Sequence, residues 1–116
     1  MGLDLFILTN KTFYPLAIIL LLYKLSFGII FLWTLVLCMK SYFKVLRPDK
    51  SNNKSFPSGH SATAWYIATI YNFNPLLVTW AILVGISRIK ARRHYLRDVI
   101  VGAILGISFG LIFRQN

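Results

Sequence analysis

Residues Ser87–Phe113 read SRIKARRHYLRDVIVGAILGISFGLIF, a basic turn running straight into an apolar stretch. From Asp98 to Phe113 that stretch carries Gly102, Gly106 and Gly110 at intervals of four. Residues four apart share one face of a helix, and a stripe of small residues lets a second helix approach closely. The segment therefore predicts an apolar helix, tightly packed along one face, that starts beside the cations Arg88, Lys90, Arg92, Arg93 and Arg97.

Upstream, Leu76–Ile89 predicts another helix, opened by Pro75 in the turn Asn72-Phe73-Asn74-Pro75, because proline suits the first helical position. Apolar character from Ala62 to Tyr71 predicts a third. Between Lys40 and Phe56 the chain turns polar: Arg47-Pro48-Asp49 breaks a helix and Ser51-Asn52-Asn53-Lys54 reads as an exposed loop. Residues 12–39 are apolar apart from Lys24, Ser26 and a few small polar groups. They can be read as one tilted span or as two short segments meeting near Tyr23-Lys24. A crossing takes about 20 apolar residues, so the stretch favours one principal helix from Leu16 to Met39, with Lys24 snorkelling or facing protein. Phe6–Leu8 leads into a partial helix.

Composition agrees with a membrane setting. The 116 residues suffice for one domain, 57% of them are hydrophobic and only 14% charged. Soluble domains average roughly 45–50% and 25%, and a small domain has too little interior to hide the excess. The formal charge is +10, which calls for an anionic partner. The cations gather in two groups, Lys40, Lys44, Arg47, Lys50 and Lys54 in one and Arg88–Arg97 in the other, with only Lys11, Lys24 and Arg114 outside. Two helices and a turn join the groups, so a hairpin brings both to one aqueous surface. Nucleic-acid binding is poorly supported, since these cations sit in short loops between apolar helices without a docking module. Cys38 is alone in an apolar stretch and reads as a packing residue. The first residues read as neither a removable signal peptide nor a myristoylation signal, Phe6 standing where the latter needs Ser or Thr, so neither is expected.

Chemistry gathers in three elements: Lys40 with Arg47-Pro48, then Pro57-Ser58-Gly59-His60, then Ser87-Arg88 with His94 and Asp98. His94 and Asp98, four apart, can touch on one helix. A carboxylate on one imidazole nitrogen fixes the tautomer and makes the other a better nucleophile. His60 opens an apolar helix, and the backbone N–H groups of Ser58, Gly59 and His60 there favour anions; Gly59 also admits close approach. Lys40, Arg47 and Arg88 would complete a cationic cradle for phosphoryl transfer. One histidine paired with Asp and one free divide into nucleophile and general acid. Each signal has a plainer reading. His94–Asp98 can be an ordinary helix pair, Pro57-Ser58-Gly59 an ordinary turn, and Lys44, Lys50, Lys54, Lys90 and Arg92 solvated or headgroup contacts. Their order on one surface is what argues for a site.

Taken together, KSYFKVLRP from Lys40, PSGH from Pro57 and SRIKARRHYLRD from Ser87 resemble the three-part signature of the type 2 phosphatidic acid phosphatase family (PAP2), whose other branch is the vanadium haloperoxidases. That soluble branch fits this chain poorly. The resemblance implies an all-α integral-membrane bundle, a single domain over residues 1–116, with the active site where two basic loops meet on one membrane face. It implies that His94 attacks phosphorus, oriented by Asp98, and that His60 protonates the leaving oxygen. Lys40, Arg47, Arg88, Ser58 and Gly59 would hold the phosphate, with no metal and no cofactor. The substrate would be a lipid phosphate or diphosphate, such as phosphatidic acid, phosphatidylglycerol phosphate, undecaprenyl diphosphate or a lipid A phosphate. Transfer to another lipid instead of water is the related reading. Membrane members of the family usually have six helices. This chain has room for about four, so the first helices are expected to be missing, with self-association or a partner completing the bundle. An inactive remnant, or a non-catalytic protein binding anionic lipid, is the alternative. The resemblance places the site on the extracytoplasmic face of a multi-pass inner-membrane protein, whereas the surplus of cations there would place it in the cytoplasm.

Overall fold

The computed structural model describes residues 2–24 and 26–114, with side chains from Leu5 onward. Among them are five helices: α1 (Gly2–Lys24), α2 (Gly28–Phe43), α3 (Gly59–Ile70), α4 (Pro75–Lys90) and α5 (Leu96–Phe113). The all-α expectation holds. The expected helix count of about four does not, because the apolar stretch 12–39 is divided and α1 extends back to Gly2.

The reason for the division lies in what each half packs against. α1 lies on α4 and α3, whereas α2 lies on α5 and α3. A single straight helix from Leu16 to Met39 could not reach both sides of the bundle. The chain instead turns beneath α3, where Ser26 hydrogen-bonds the Tyr66 hydroxyl and Ile30 N–H donates to Phe27 O at 3.1 Å. Gly28 sits where a Cβ would run into Tyr66 and Phe113, so only the bare backbone fits.

α3 is the centre of the molecule. Every residue of it except His60 and Trp65 is buried. Its closest partner is α5, through the predicted glycine stripe: a Cβ at Gly102 would stand 2.5 Å from Ser58 O, and one at Gly106 would run into Ala62 O. One side of α3 joins Phe13, Ala17, Ala64, Ile67, Ala81 and Val84 in a core shared with α1 and α4. The other joins Leu32, Val36, Ala62, Tyr66 and Ile70 in a core shared with α2. At the start of α4, Pro75 occupies the first turn and Asn74 caps it, accepting from Leu76 N–H at 2.9 Å.

The outward faces are apolar. α1 (over Leu5–Lys24) and α5 are long and apolar enough to cross a membrane, and α2 is a shorter apolar helix. Ile19, Leu22, Ile30 and Ile112 all point outward, as does Cys38, which therefore corrects the expectation that it packs inside.

Candidate active site

Four of the five helices bring one end to the same place: the C-terminal ends of α2 and α4 and the N-terminal ends of α3 and α5 meet there. The two loops between them, 44–58 and 91–95, are sewn together. Asp49 N–H donates to Arg92 O at 3.0 Å, Arg47 Nη1 to Arg93 O at 3.2 Å, and Arg93 pairs with Asp49 at 3.4 Å. The expected meeting of the two basic clusters on one surface is thus present.

His94 does not share a helix with Asp98. α5 begins at Leu96; Tyr95 is its extended N-cap and Asp98 its third residue, with the carboxylate accepting Tyr95 N–H at 2.8 Å. Asx and Glx side chains at this position commonly tie down the N-cap, so part of Asp98's work is to start α5. His94, buried at the end of the preceding loop, comes to 3.8 Å between Nδ1 and Asp98 Oδ2. That is a neighbouring charge rather than a hydrogen bond. The hydrogen bond from Nδ1 goes to Ser55 O, at 2.6 Å. A carbonyl only accepts, so Nδ1 carries the proton and Nε2 keeps its lone pair.

Arg47 reaches that lone pair from the facing loop, with Nη1 at 3.4 Å from Nε2, while its Nε donates to Asn52 Oδ1 at 2.7 Å. Burial pushes the His94 imidazole down to about 3, Lys40 adds to this, and Arg88 and Arg47 act in the same direction; the bond to Ser55 O opposes them. His94 is therefore neutral at physiological pH.

Lys40 Nζ donates to Lys54 O at 2.6 Å and Pro57 O at 2.7 Å, which leaves one of its three hydrogens. Its charge serves the site, but much of its bonding holds the 54–57 segment in place. Arg88, from the end of α4, has a buried Nε with no hydrogen-bond partner among the described residues. Together Lys40, Arg47 and Arg88 all lie close enough to bear on the charge of His60 and of His94.

His60 is the second residue of α3, partly exposed, with its ring against Phe13 (centroids 4.2 Å apart) and Tyr14 (5.1 Å). Ser58 caps the helix, its hydroxyl accepting Ser61 N–H at 3.2 Å and its own N–H donating to Asp98 O at 3.1 Å. Of the three amide groups expected to face an anion, Ser58's is thus taken. Those of Gly59 and His60 precede the first helical hydrogen bond and stay open. A Cβ on Gly59 would stand 2.8 Å from the Trp33 ring, so its bareness serves the packing of α2 against α3.

Several contributors were not singled out by sequence. Ser55 is wholly buried between His94 and Asp98. Asn10 accepts from Ser87 Oγ at 3.0 Å, and Phe13 and Tyr14 wall in His60. Proximity to the PSGH stretch was the available signal for Ser55. The α1 residues lie so far away in sequence that no spacing rule reaches them.

An all-helical bundle that turns two histidines, three cations and a buried carboxylate toward one end has the charge and the donors to receive a phosphate-like anion. Residues 16–116 match the PAP2 superfamily, and the chain belongs to it. It is 39% identical over 93 residues to the Lipid A 1-phosphatase of Porphyromonas gingivalis, covering 66% of this chain and 21% of that protein. It is 35% identical over 80 residues to the Probable lipid phosphate phosphatase 4 of Arabidopsis thaliana, covering 50% and 25%. The chain thus spans about a fifth to a quarter of the length of these curated relatives. The crystal structure of Aquifex aeolicus LpxE superposes with a TM-score of 0.76 at 30% identity, covering 96% of this chain and 81% of that one.

Proposed function

We propose that the chain is a membrane lipid phosphatase that hydrolyses a phosphomonoester or diphosphate through a phosphohistidine at His94. The observation that carries this reading is the His94 ring itself: Nδ1–H is held by Ser55 O, and Nε2 is presented, unprotonated, beside Arg47. In the first step His60 takes up a proton as the phosphate's negative charge arrives beside it; Nε2 of His94 bonds to phosphorus, the bond from phosphorus to the lipid oxygen breaks, and His60 gives that oxygen its proton. In the second, water attacks the phosphohistidine, His60 recovers a proton from it, and inorganic phosphate leaves. Arg47, Arg88, the remaining Lys40 hydrogen and the Gly59 and His60 amides offset the charge that builds on the equatorial oxygens. Ser58 sets the helix end that aims those amides. Asp98, a charge neighbour of the ring, stabilises the cation that forms on His94 when it is phosphorylated. No step calls for a metal.

The substrate class we argue from the relatives and from the apolar outward faces of the bundle is a phosphate borne on a lipid, with the 1-phosphate of lipid A the first candidate on the likeness to the P. gingivalis protein. The test is phosphate release from a panel of lipid phosphates by purified protein in excess EDTA, beside His94→Asn. Release that survives chelation and is lost in the variant is expected, with a 32P label trapped on the wild-type chain. Release that EDTA abolishes, or that His94→Asn retains, would overturn the mechanism. We place the site on the extracytoplasmic face, as the family resemblance implies. In a Cys38→Ser background, Asn53→Cys should then react with an impermeant maleimide in intact cells; reaction only after permeabilisation would reverse the orientation.

A further inference from the structure

We propose that Ser55 is a positioning residue for the nucleophile, coupling His94 to Asp98 through two of its own atoms. The inference rests on the phosphatase reading for its consequence, but its geometry stands by itself. Ser55 is fully buried in the segment that precedes Pro57-Ser58-Gly59-His60. Its N–H donates to Val45 O at 3.0 Å, and Lys40 Nζ bonds the carbonyls of Lys54 and Pro57 on either side of it. The segment is therefore fixed along its length, and Ser55 O is fixed with it.

From that position Ser55 makes two contacts of different kinds. Its carbonyl takes the Nδ1 proton of His94 at 2.6 Å. Its hydroxyl donates to Asp98 Oδ2, which also accepts Tyr95 N–H at 2.8 Å. The same carboxylate oxygen lies 3.8 Å from His94 Nδ1. With two donors holding Oδ2, the carboxylate stays within electrostatic reach of the ring without taking its proton. The arrangement gives His94 a neutral acceptor for Nδ1–H in the resting state and a fixed negative charge nearby once the ring is phosphorylated. A carboxylate bonded directly to Nδ1 would instead raise the pKa of the ring and bring its protonated form closer to the working pH. His94 is faced by Lys40 from α2, Arg47 from the 44–58 loop, Arg88 from α4 and Asp98 from α5, so Ser55 governs the one negative charge among three positive ones.

The experiment uses the full chain, 15N-labelled at histidine, in lipid nanodiscs. The chain has two histidines, so a His60→Gln spectrum assigns His94. Wild-type His94 should show the Nδ1–H tautomer. In Ser55→Ala the carboxylate is released toward Nδ1, and His94 should titrate about one pH unit higher. In turnover, Ser55→Ala should lower kcat about tenfold, as loss of an outer supporting bond commonly does, with KM little changed and the acid limb moved to higher pH. Ser55→Thr, which restores the hydroxyl, should recover both. If Ser55→Ala does not fold, Ser55→Cys keeps the volume with a weak donor and should shift the titration in the same direction. A folded variant with wild-type tautomer, titration and kcat would overturn the role of Ser55 and leave the phosphatase reading intact. A shifted titration in a protein whose wild type releases no phosphate from any lipid would do the reverse.

Discussion

At the scale of single residues, Arg47 and His94 carry the sharpest expectations. Arg47 bonds Asn52 through Nε and faces both the Arg93 carbonyl and the His94 edge through Nη1, two nitrogens of one planar fork. Lysine is a point charge and cannot span those partners. Arg47→Lys should therefore lower kcat/KM by about 100-fold, the loss typical of one misplaced oxyanion donor; steady-state kinetics within threefold of wild type would show that charge alone suffices. His94 sets a pH dependence. Its folded value is about 3, against about 6.5 when unfolded, so between those values the unfolded chain binds more protons. Stability is full above about pH 6.5 and is lost as pH falls toward 3. His94→Asn lacks this group, so the wild type should lose more of its melting temperature than the variant between about pH 7 and pH 4.5. An equal loss in both would mean that other groups carry the acid sensitivity. The residues that meet at this end of the bundle could be singled out from sequence because their identities and spacing are what the proposed chemistry requires. Ser55 was not, because half of its role belongs to a carbonyl that every residue possesses.

At the scale of elements, the glycine stripe of α5 was readable as packing, and its partner turns out to be α3. The cost of filling it depends on what stands opposite. At Gly106 a Cβ would run into the Ala62 carbonyl, part of a helix backbone that cannot step aside. Gly106→Ala should destabilise by about 1–3 kcal/mol and lower the melting temperature. At Gly85 the Cβ would meet only Val99 Cγ1, at 2.7 Å, the end of a side chain that can rotate. There the gain in helix propensity, up to about 1 kcal/mol, works against the crowding, so Gly85→Ala should unfold close to the wild type. Equal melting shifts for the two would remove the distinction between backbone and side-chain contact. The break between α1 and α2 was harder to read, because an apolar run of that length satisfies the span criterion by itself. What divides it is tertiary: α1 is held by α4 and α2 by α5, and Ser26 and Gly28 fit the turn only because Tyr66 and Phe113 are there. Likewise, the four-residue spacing of His94 and Asp98 suggested one helix, but the Asp98 carboxylate caps α5 and leaves His94 outside it.

At the scale of the whole molecule, the bundle is assembled around a helix too short to span a bilayer. α3 has 12 residues, about 18 Å at 1.5 Å per residue, against a hydrocarbon thickness of about 30 Å. Its polar N-terminal end is therefore enclosed by α1, α2, α4 and α5 rather than carried through the membrane, and the cradle is made from ends of separate elements. Lys40 comes with α2, Arg47 with the 44–58 loop, His60 with α3, Arg88 with α4 and Asp98 with α5. Among the described residues these cations repel one another across the site: Arg47 and Arg88 each act on Lys40, and Arg93 acts on Arg47. An anion bound there would relieve that repulsion and join every element that contributes a charge. Because it binds only the folded chain, inorganic phosphate should stabilise the whole bundle, by about 2.7 kcal/mol at a hundred times its dissociation constant. The melting temperature should rise with phosphate concentration, and chloride at matched ionic strength should not reproduce the rise. In Arg88→Ala the buried guanidinium is gone, so the unliganded protein should lose little stability or even gain some, while the phosphate-dependent rise shrinks. A rise of the same size in that variant would place the bound anion away from the cradle and separate the stability of the fold from the site at its end.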